Sequence, residues 1–312
     1  MKIVVTGGSG FIGSNLVKEL AKKHEVIAFD NGFRVGFGNL ETIDNVSLIK
    51  GNVLEKDDWK QLPKDIDFAF HLAAINGTKF FYEIPSKVIE VNVLGTMNFM
   101  NWIENTTAKR FFFASSSEVY GFPKIFPTPE TESLVIPDPL NPRFSYSSSK
   151  MIGETICINF AKSLGLDFVI GRFHNIYGPR MGFEHVIPEF IRKCVKDEPF
   201  VVQSDGSETR CFCYISDAIN ALILLMNNTK SNNSIFNIGT TEETEIRKII
   251  PMLEEIDGKK IEPEYKEFKN AGTPRRVPDI KKIQELGYTP QISLREGLDR
   301  TYEWYSEYYM NN

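Results

Sequence analysis

The feature that most constrains this chain is Gly7-Gly8-Ser9-Gly10-Phe11-Ile12-Gly13, placed directly after the apolar, β-branched stretch Lys2 to Thr6. Asn15 to Lys23 follow, with Leu16, Val17 and Leu20 at helical spacing. A strand, a glycine turn and a helix in that order need small residues for separate reasons. The chain must reverse sharply, a backbone must approach a bulky anion, and the helix must pack close to its sheet. Amides left free at the helix start then face the anion, which makes Gly7, Gly10, Phe11, Ile12 and Gly13 the candidate pyrophosphate cradle.

Packing alone does not account for Asp30, which ends a second strand at Val26 to Phe29. An acid about 20 residues beyond the turn is placed to bind the adenosine ribose hydroxyls. A carboxylate there repels a 2′-phosphate, so NAD is expected over NADP, with Asn31 beside it in the cofactor set. Arg34 is the nearby group that would accept such a phosphate.

Further apolar runs lie at Val46 to Lys50, Ile66 to Leu72, Arg110 to Ser115 and Asp167 to Arg172. They lack polar alternation, as strands covered on both faces do. Helical segments at about Pro85 to Asn105 and Ser149 to Leu164 separate them, so the expectation is an α/β fold with a Rossmann-type, doubly wound parallel sheet. Beyond residue 177 the pattern changes to a helix at about Val186 to Lys196, a polar turn at Ser204 to Ser207, an apolar helix at Ile215 to Met226 and a strand at Ser234 to Ile238. The expected division is a dinucleotide-binding domain over 1–177, with a return segment at about 210–240. A smaller, discontinuous lobe would take 178–209 and 241–312, including the Gly272-Thr273-Pro274 connection and an amphipathic helix from Leu294 to Tyr305.

Charge narrows the partners. Lys plus Arg total 36 against 41 for Asp plus Glu, a net −5 without runs of like charge, so nucleic acid is not an expected partner. No apolar stretch is long enough to span a bilayer, and Met1-Lys2 leads straight into a strand without a signal-peptide pattern. A cytoplasmic protein with reduced thiols is expected. Cys157, Cys194, Cys211 and Cys213 lack metal-ligand spacing, and Cys211 and Cys213 read as alternating faces of one strand.

Tyr146 and Lys150 stand one helical turn apart, on one face. An ammonium beside a phenol favours the phenolate, which then takes a proton from a sugar hydroxyl as hydride leaves the carbon. Ser115-Ser116-Ser117-Glu118-Val119-Tyr120-Gly121 closes the fifth strand at the sheet edge where ligands bind.

These residues resemble the extended short-chain dehydrogenase/reductases, the NAD-dependent epimerases and dehydratases of nucleotide sugars. The likeness also rests on His71-Leu72-Ala73-Ala74, Asn92 with Gly95-Thr96, Arg172-Phe-His-Asn-Ile-Tyr-Gly-Pro-Arg180, Asp205-Gly206 with Arg210, and Arg276-Val-Pro-Asp279. It implies that Ser116 is the catalytic hydroxyl and Tyr146 the base, and that Lys150 holds the nicotinamide ribose. Leu72, Ala73, Ala74 and Asn92 would join the cofactor site. Asn52, where relatives usually carry Asp, would contact adenine beside Val53. Asn175, Arg210 and Arg276 would hold the nucleotide and diphosphate. His71 reads as core and Arg180 as a solvated charge.

Within this resemblance the outcome turns on a few positions. Relatives that eliminate water carry Asp then Glu after the catalytic hydroxyl; this chain has Ser117 then Glu118, so the base is present and the acid is missing. That pair is similar to the one in UDP-glucuronate decarboxylases and in many 4-epimerases. The expectation is 4-epimerisation of a nucleotide-diphosphate sugar, with decarboxylation or formation of a 4-keto product as alternatives. A non-catalytic NAD(H)-binding scaffold or an NADPH-consuming reductase is a more distant reading. His174, replacing a phenylalanine, and Lys79 in an unusual loop are candidate contributors to sugar choice. The resemblance also implies a homodimer built on the helices at 85–105 and 149–164, through Val88, Val91, Met97, Met151 and Ile158.

Overall fold

The computed structural model describes residues 1–266 and 273–311, so the Gly272 end of the predicted connection lies outside the described residues. The first half alternates β1 (Lys2–Thr6), α1 (Phe11–Ala21), β2 (Glu25–Asp30), β3 (Val46–Lys50), β4 (Phe68–His71), α2 (Thr78–Glu83), α3 (Pro85–Ile103), β5 (Arg110–Ser116), α4 (Ser145–Leu164) and β6 (Asp167–Phe173). Then come β7 (Ile176–Tyr177), α5 (Val186–Val195), β8 (Val201–Gln203), β9 (Thr209–Cys211), β10 (Cys213–Tyr214), α6 (Ile215–Asn227) and β11 (Ser234–Ile238). The chain ends with β12 (Glu243–Glu245), α7 (Ile249–Asp257), β13 (Glu264–Lys266), β14 (Arg275–Arg276), α8 (Lys281–Gln284) and α9 (Leu294–Asn311).

Seven strands form one parallel sheet in the order β11-β6-β5-β4-β1-β2-β3. Ile3, Val4 and Val5 are all fully buried, because helices cover both faces of β1. One face packs on α1 and α6, the other on α3 and α4. The strand order runs one way from β1 to β3 and the other way from β4 onward. The gap between β1 and β4 is thus the switch point, where such sheets open a crevice at their carboxyl ends.

The remaining strands form small sheets: β9 pairs with β12 and β14, β8 with β13, and β10 with β7. The core is continuous through them, since one cluster of buried apolar side chains runs from Ile3 on β1 to Tyr305 on α9. Among the described residues no helix is long and apolar enough to cross a membrane.

Two local expectations are corrected. Helix α4 starts at Ser145 rather than Ser149, which places Tyr146 inside its first turn. The serines that suggest a loop bond back into the helix: Ser147 and Ser148 Oγ donate to the Phe144 carbonyl, and Ser149 Oγ to that of Tyr146. Cys211 and Cys213 do not alternate on one strand. The chain changes partners at Phe212, so Cys211 ends β9, Cys213 starts β10, and all three side chains are buried.

Candidate active site

A cavity of about 710 Å³ lies along the carboxyl ends of β1, β2, β4 and β5. At its base the glycine turn is packed without slack. A Cβ on Gly13 would lie 2.0 Å from the Gly7 carbonyl oxygen, and one on Gly7, whose φ is +71°, would lie 2.7 Å from the Ala73 nitrogen. Helix α1 then begins at Gly10 with no side-chain cap, and Phe11, Ile12 and Gly13 face the cavity. First-turn amides that are uncapped and open to a cavity suit a diphosphate, which is the fit NAD requires.

Asp30 closes β2 at the same edge. Its carboxylate accepts from the backbone nitrogens of Ser9 (3.1 Å) and Gly32 (2.8 Å), which fixes its orientation and leaves lone pairs for ribose hydroxyls. Arg34 is not beside it in the role of a phosphate acceptor. The guanidinium instead stacks over Phe80, 5.1 Å from the ring centre. Asn31, Asn52, Val53, Leu72, Ala73 and Ala74 all line the cavity. The Asn52 Oδ1 accepts from Leu54 N at 3.1 Å, which orients the side chain at the cavity.

Asn92 is a correction. It is buried in α3 away from the wall, accepting from Ile75 N at 2.9 Å and donating to Ser149 Oγ at 2.9 Å. Its side chain fastens the loop after β4 to α4, behind the cavity lining. His71 is core: it lies between the hydroxyls of Thr6 and Thr96, stacks on Phe99, and burial pushes it down to about 3.

Ser116, Tyr146 and Lys150 do converge. Ser116 Oγ accepts from Glu118 N at 3.2 Å and is near enough to the Tyr146 hydroxyl to favour its ionised form. Tyr146 stacks on Phe81 with ring centres 5.0 Å apart. Lys150 Nζ donates to the Ala114 carbonyl at 2.7 Å and lies 5.8 Å from the Tyr146 ring centre. Burial pushes Lys150 down to about 8. The expected lowering of the Tyr146 phenol by Lys150 is not what dominates here. Burial raises that phenol above its ordinary range, while the Ser116 hydroxyl and the Arg34 charge pull the other way.

The Glu118 carboxylate is set in a ring of arginines. Its Oε1 lies 2.7 Å from Arg276 Nη1 and 3.7 Å from Arg143 Nη2. Burial alone would raise its pKa, but the charges of Arg276, Arg143 and Arg210 outweigh it and hold the carboxyl below its usual range. Arg210 is itself pushed down to about 9, by burial first and then by the Arg276 charge. Ser117 and Asn175 complete this wall, and the Asn175 amide nitrogen is buried without a hydrogen-bond partner.

Other candidates fall elsewhere. Lys79 is half-exposed and outside the lining, ion-paired with Glu184 at 3.4 Å. His174 lies behind the wall, its Nε2 3.0 Å from Asn237 Oδ1. Arg180, read as a solvated charge, instead lines the cavity in a left-handed conformation at φ +69°. Sequence reasoning missed Arg143 as a contributor, although a basic residue three positions before Tyr146 was there to be read. It also missed Phe80 and Phe81, because nothing in Phe80-Phe81-Tyr82 sets them apart from core aromatics.

Residues 3–239 match the NAD dependent epimerase/dehydratase family. The chain is 35% identical to a UDP-N-acetyl-alpha-D-glucosaminuronate decarboxylase of Bacillus cytotoxicus, over 98% of both chains. It is 34% identical to UDP-glucuronic acid decarboxylase 3 of Arabidopsis thaliana, over 96% of this chain and 87% of that one. Among solved structures it is similar to the UDP-glucuronic acid 4-epimerase of Bacillus cereus in complex with UDP-glucuronic acid and NAD. That likeness has a TM-score of 0.89 and 31% identity, and covers 99% of this chain and 100% of the other. Together with the glycine cradle and the Ser116–Tyr146–Lys150 arrangement, these likenesses establish an NAD-dependent enzyme of nucleotide sugars that belongs to the NAD-dependent epimerase/dehydratase family.

Proposed function

We propose that this enzyme oxidises carbon 4 of a UDP-linked hexuronic acid and then releases its carboxylate as carbon dioxide. The carrying observation is the Glu118 cluster: three guanidinium groups, Arg143, Arg210 and Arg276, surround one carboxylate within two residues of Ser116. The surplus positive charge suits a ligand that brings both a diphosphate and a sugar carboxylate. The decarboxylases of Bacillus cytotoxicus and Arabidopsis thaliana, both named for uronic acid substrates, support the same reading.

NAD, when bound, supplies the acceptor and later the donor of hydride. The chain's residues handle the proton and the charge. Tyr146, as the phenolate that the Ser116 hydroxyl and the Arg34 charge favour against burial, takes the proton of the carbon-4 hydroxyl, and Ser116 is placed to hydrogen-bond the same oxygen. A ketone at carbon 4 is β to the carboxylate on carbon 5, so the bond between carbons 5 and 6 breaks with its electron pair moving to the carbonyl as an enolate. Ser116 and Tyr146 stabilise that enolate oxygen. A proton from water at carbon 5, hydride back at carbon 4 and the Tyr146 proton back on the carbon-4 oxygen would complete a pentose. Glu118, held ionised beside this point, raises the energy of a substrate carboxylate relative to neutral carbon dioxide.

The second reading is 4-epimerisation, to which the sequence points first. It needs only Ser116 and Tyr146, and the Bacillus cereus 4-epimerase has this fold over nearly the whole chain. NMR of products from UDP-glucuronic acid and UDP-N-acetylglucosaminuronic acid separates the two. Carbon dioxide with a pentose product supports decarboxylation, and an isomer of unchanged mass supports epimerisation. Turnover of neutral sugars alone would sink the uronate reading.

We further assign 1–177 with 210–240 to cofactor binding, and 178–209 with 241–312 to the sugar nucleotide. The buried free thiols at Cys157, Cys194, Cys211 and Cys213 support a reducing compartment, the cytoplasm. A homodimer is supported by α3 and α4, which pack together and leave Ile89, Leu94 and Ile152 exposed at 43%, 50% and 46%. These residues, rather than the fully buried Val88, would form the contact, and light scattering would read the mass.

A further inference from the structure

Arg34 differs from Arg143, Arg210 and Arg276, which line the same cavity, in having no carboxylate or carbonyl in its grip. Among the described residues its guanidinium has no hydrogen-bond or ion-pair partner, and its stacking contact is the Phe80 ring. Phe33 packs on the same ring at 5.5 Å, so two neighbours on the loop after β2 lean on α2.

The guanidinium is seated between two glycines from opposite walls. A Cβ on Gly77, just before α2, would lie 3.0 Å from Nη2; one on Gly182, shortly before α5, would lie 3.0 Å from Nη1. Lys79 and Glu184 join the same two segments by their ion pair. The Arg34 loop is also tied to the glycine turn, since Ser9 Oγ donates to the Val35 carbonyl at 2.9 Å. Five N–H donors on a rigid fork therefore line the same cavity as the uncapped start of α1.

We propose that Arg34 is an anion clamp that closes over the diphosphate of the bound dinucleotide, fastening the loop after β2 to both walls and setting how long the cofactor is retained. A fork of donors matches phosphate oxygens in a way a point charge does not. The clamp rests on the use of NAD and not on the fate of the sugar.

The test is NADH release from the purified, reloaded enzyme, followed by stopped-flow fluorescence, with UDP binding measured beside it. Arg34→Ala should speed release by about tenfold or more, as loss of a charge-assisted contact implies. Arg34→Lys should fall between, and UDP affinity should stay within about twofold on the same grounds. Phe80→Leu, which removes the stacking platform and keeps the arginine, should speed release too, and serves if the alanine variant is misfolded by circular dichroism. Unchanged release in both Arg34→Ala and Phe80→Leu overturns the proposal. So does weakened UDP binding with unchanged NADH release, which would place the guanidinium on the diphosphate of the sugar nucleotide.

Discussion

Glu118 Oε1 lies 2.7 Å from Arg276 Nη1, and this contact joins the turn closing β5 to β14, in a part of the chain far removed in sequence. The pair thus brings together the Ser116 end of β5 and the arginines expected to hold phosphate. Glu118→Gln keeps the shape and removes the charge. Under the decarboxylation reading, turnover should fall by about a hundredfold or more. Oxidation at carbon 4 should persist, seen as bound NADH absorbance in a single turnover. Equal loss of both would show that Glu118 serves the first step or the fold.

Tyr146→Phe removes the proton acceptor while keeping the ring that stacks on Phe81. Turnover should fall about a hundredfold to ten-thousandfold, with NADH affinity close to wild type. Steady-state kinetics and cofactor titration check the two halves separately. Loss of cofactor binding would mean that the phenol holds the dinucleotide rather than the proton.

The alkaline limb of kcat/KM should fall near the value of about 8 to which burial pushes Lys150. Below that pH the ammonium is charged; above it the charge is lost. Lys150→Arg keeps a cation throughout, so its residual activity should lack this limb. Stability moves the other way for this group alone. Its folded pKa lies below the unfolded value of about 10.4, so the unfolded chain binds more protons between the two, and stability rises with pH across that window. Glu118 acts at the acid end. Its pKa is lowered in the fold, so its contribution is present above the unfolded value of about 4.3 and is lost as pH falls through the lower folded one. Thermal melts across pH read both effects.

The cradle was legible because its chemistry is local. Gly7 to Gly13 and Asp30 report a turn, a helix start and a strand end, each readable within a short window. The parallel sheet was legible for the same reason, through apolar runs such as Lys2 to Thr6. What escaped was set by tertiary packing. Asn92 has the right residue type for a wall, yet the register of α3 turns it toward Ile75. Lys79 was drawn off by Glu184, more than a hundred residues away in sequence. The first turn of α4 was hidden because serines that favour loops found backbone acceptors within the helix. Arg34 shows the limit most clearly: proximity in sequence placed it near Asp30, and its guanidinium stacks instead on Phe80.

Beneath the reacting groups, Arg172 and Glu154 form an ion pair at 2.7 Å with both side chains 3% exposed. Ser115 Oγ donates to the same glutamate, and Arg172 Nη1 donates to the Tyr120 hydroxyl at 3.0 Å, so the network runs under β5 next to Ser116. Glu154→Leu would strand a guanidinium in the core, and should cost about 3–5 kcal/mol in denaturant unfolding. Replacing both, as Glu154→Leu with Arg172→Met, removes the stranded charge and should recover most of that loss. If the double variant is as unstable as the single one, the cost lies with the lost partners of Ser115 and Tyr120. The ion pair would then be a by-product of a hydrogen-bond network that shapes the end of β5.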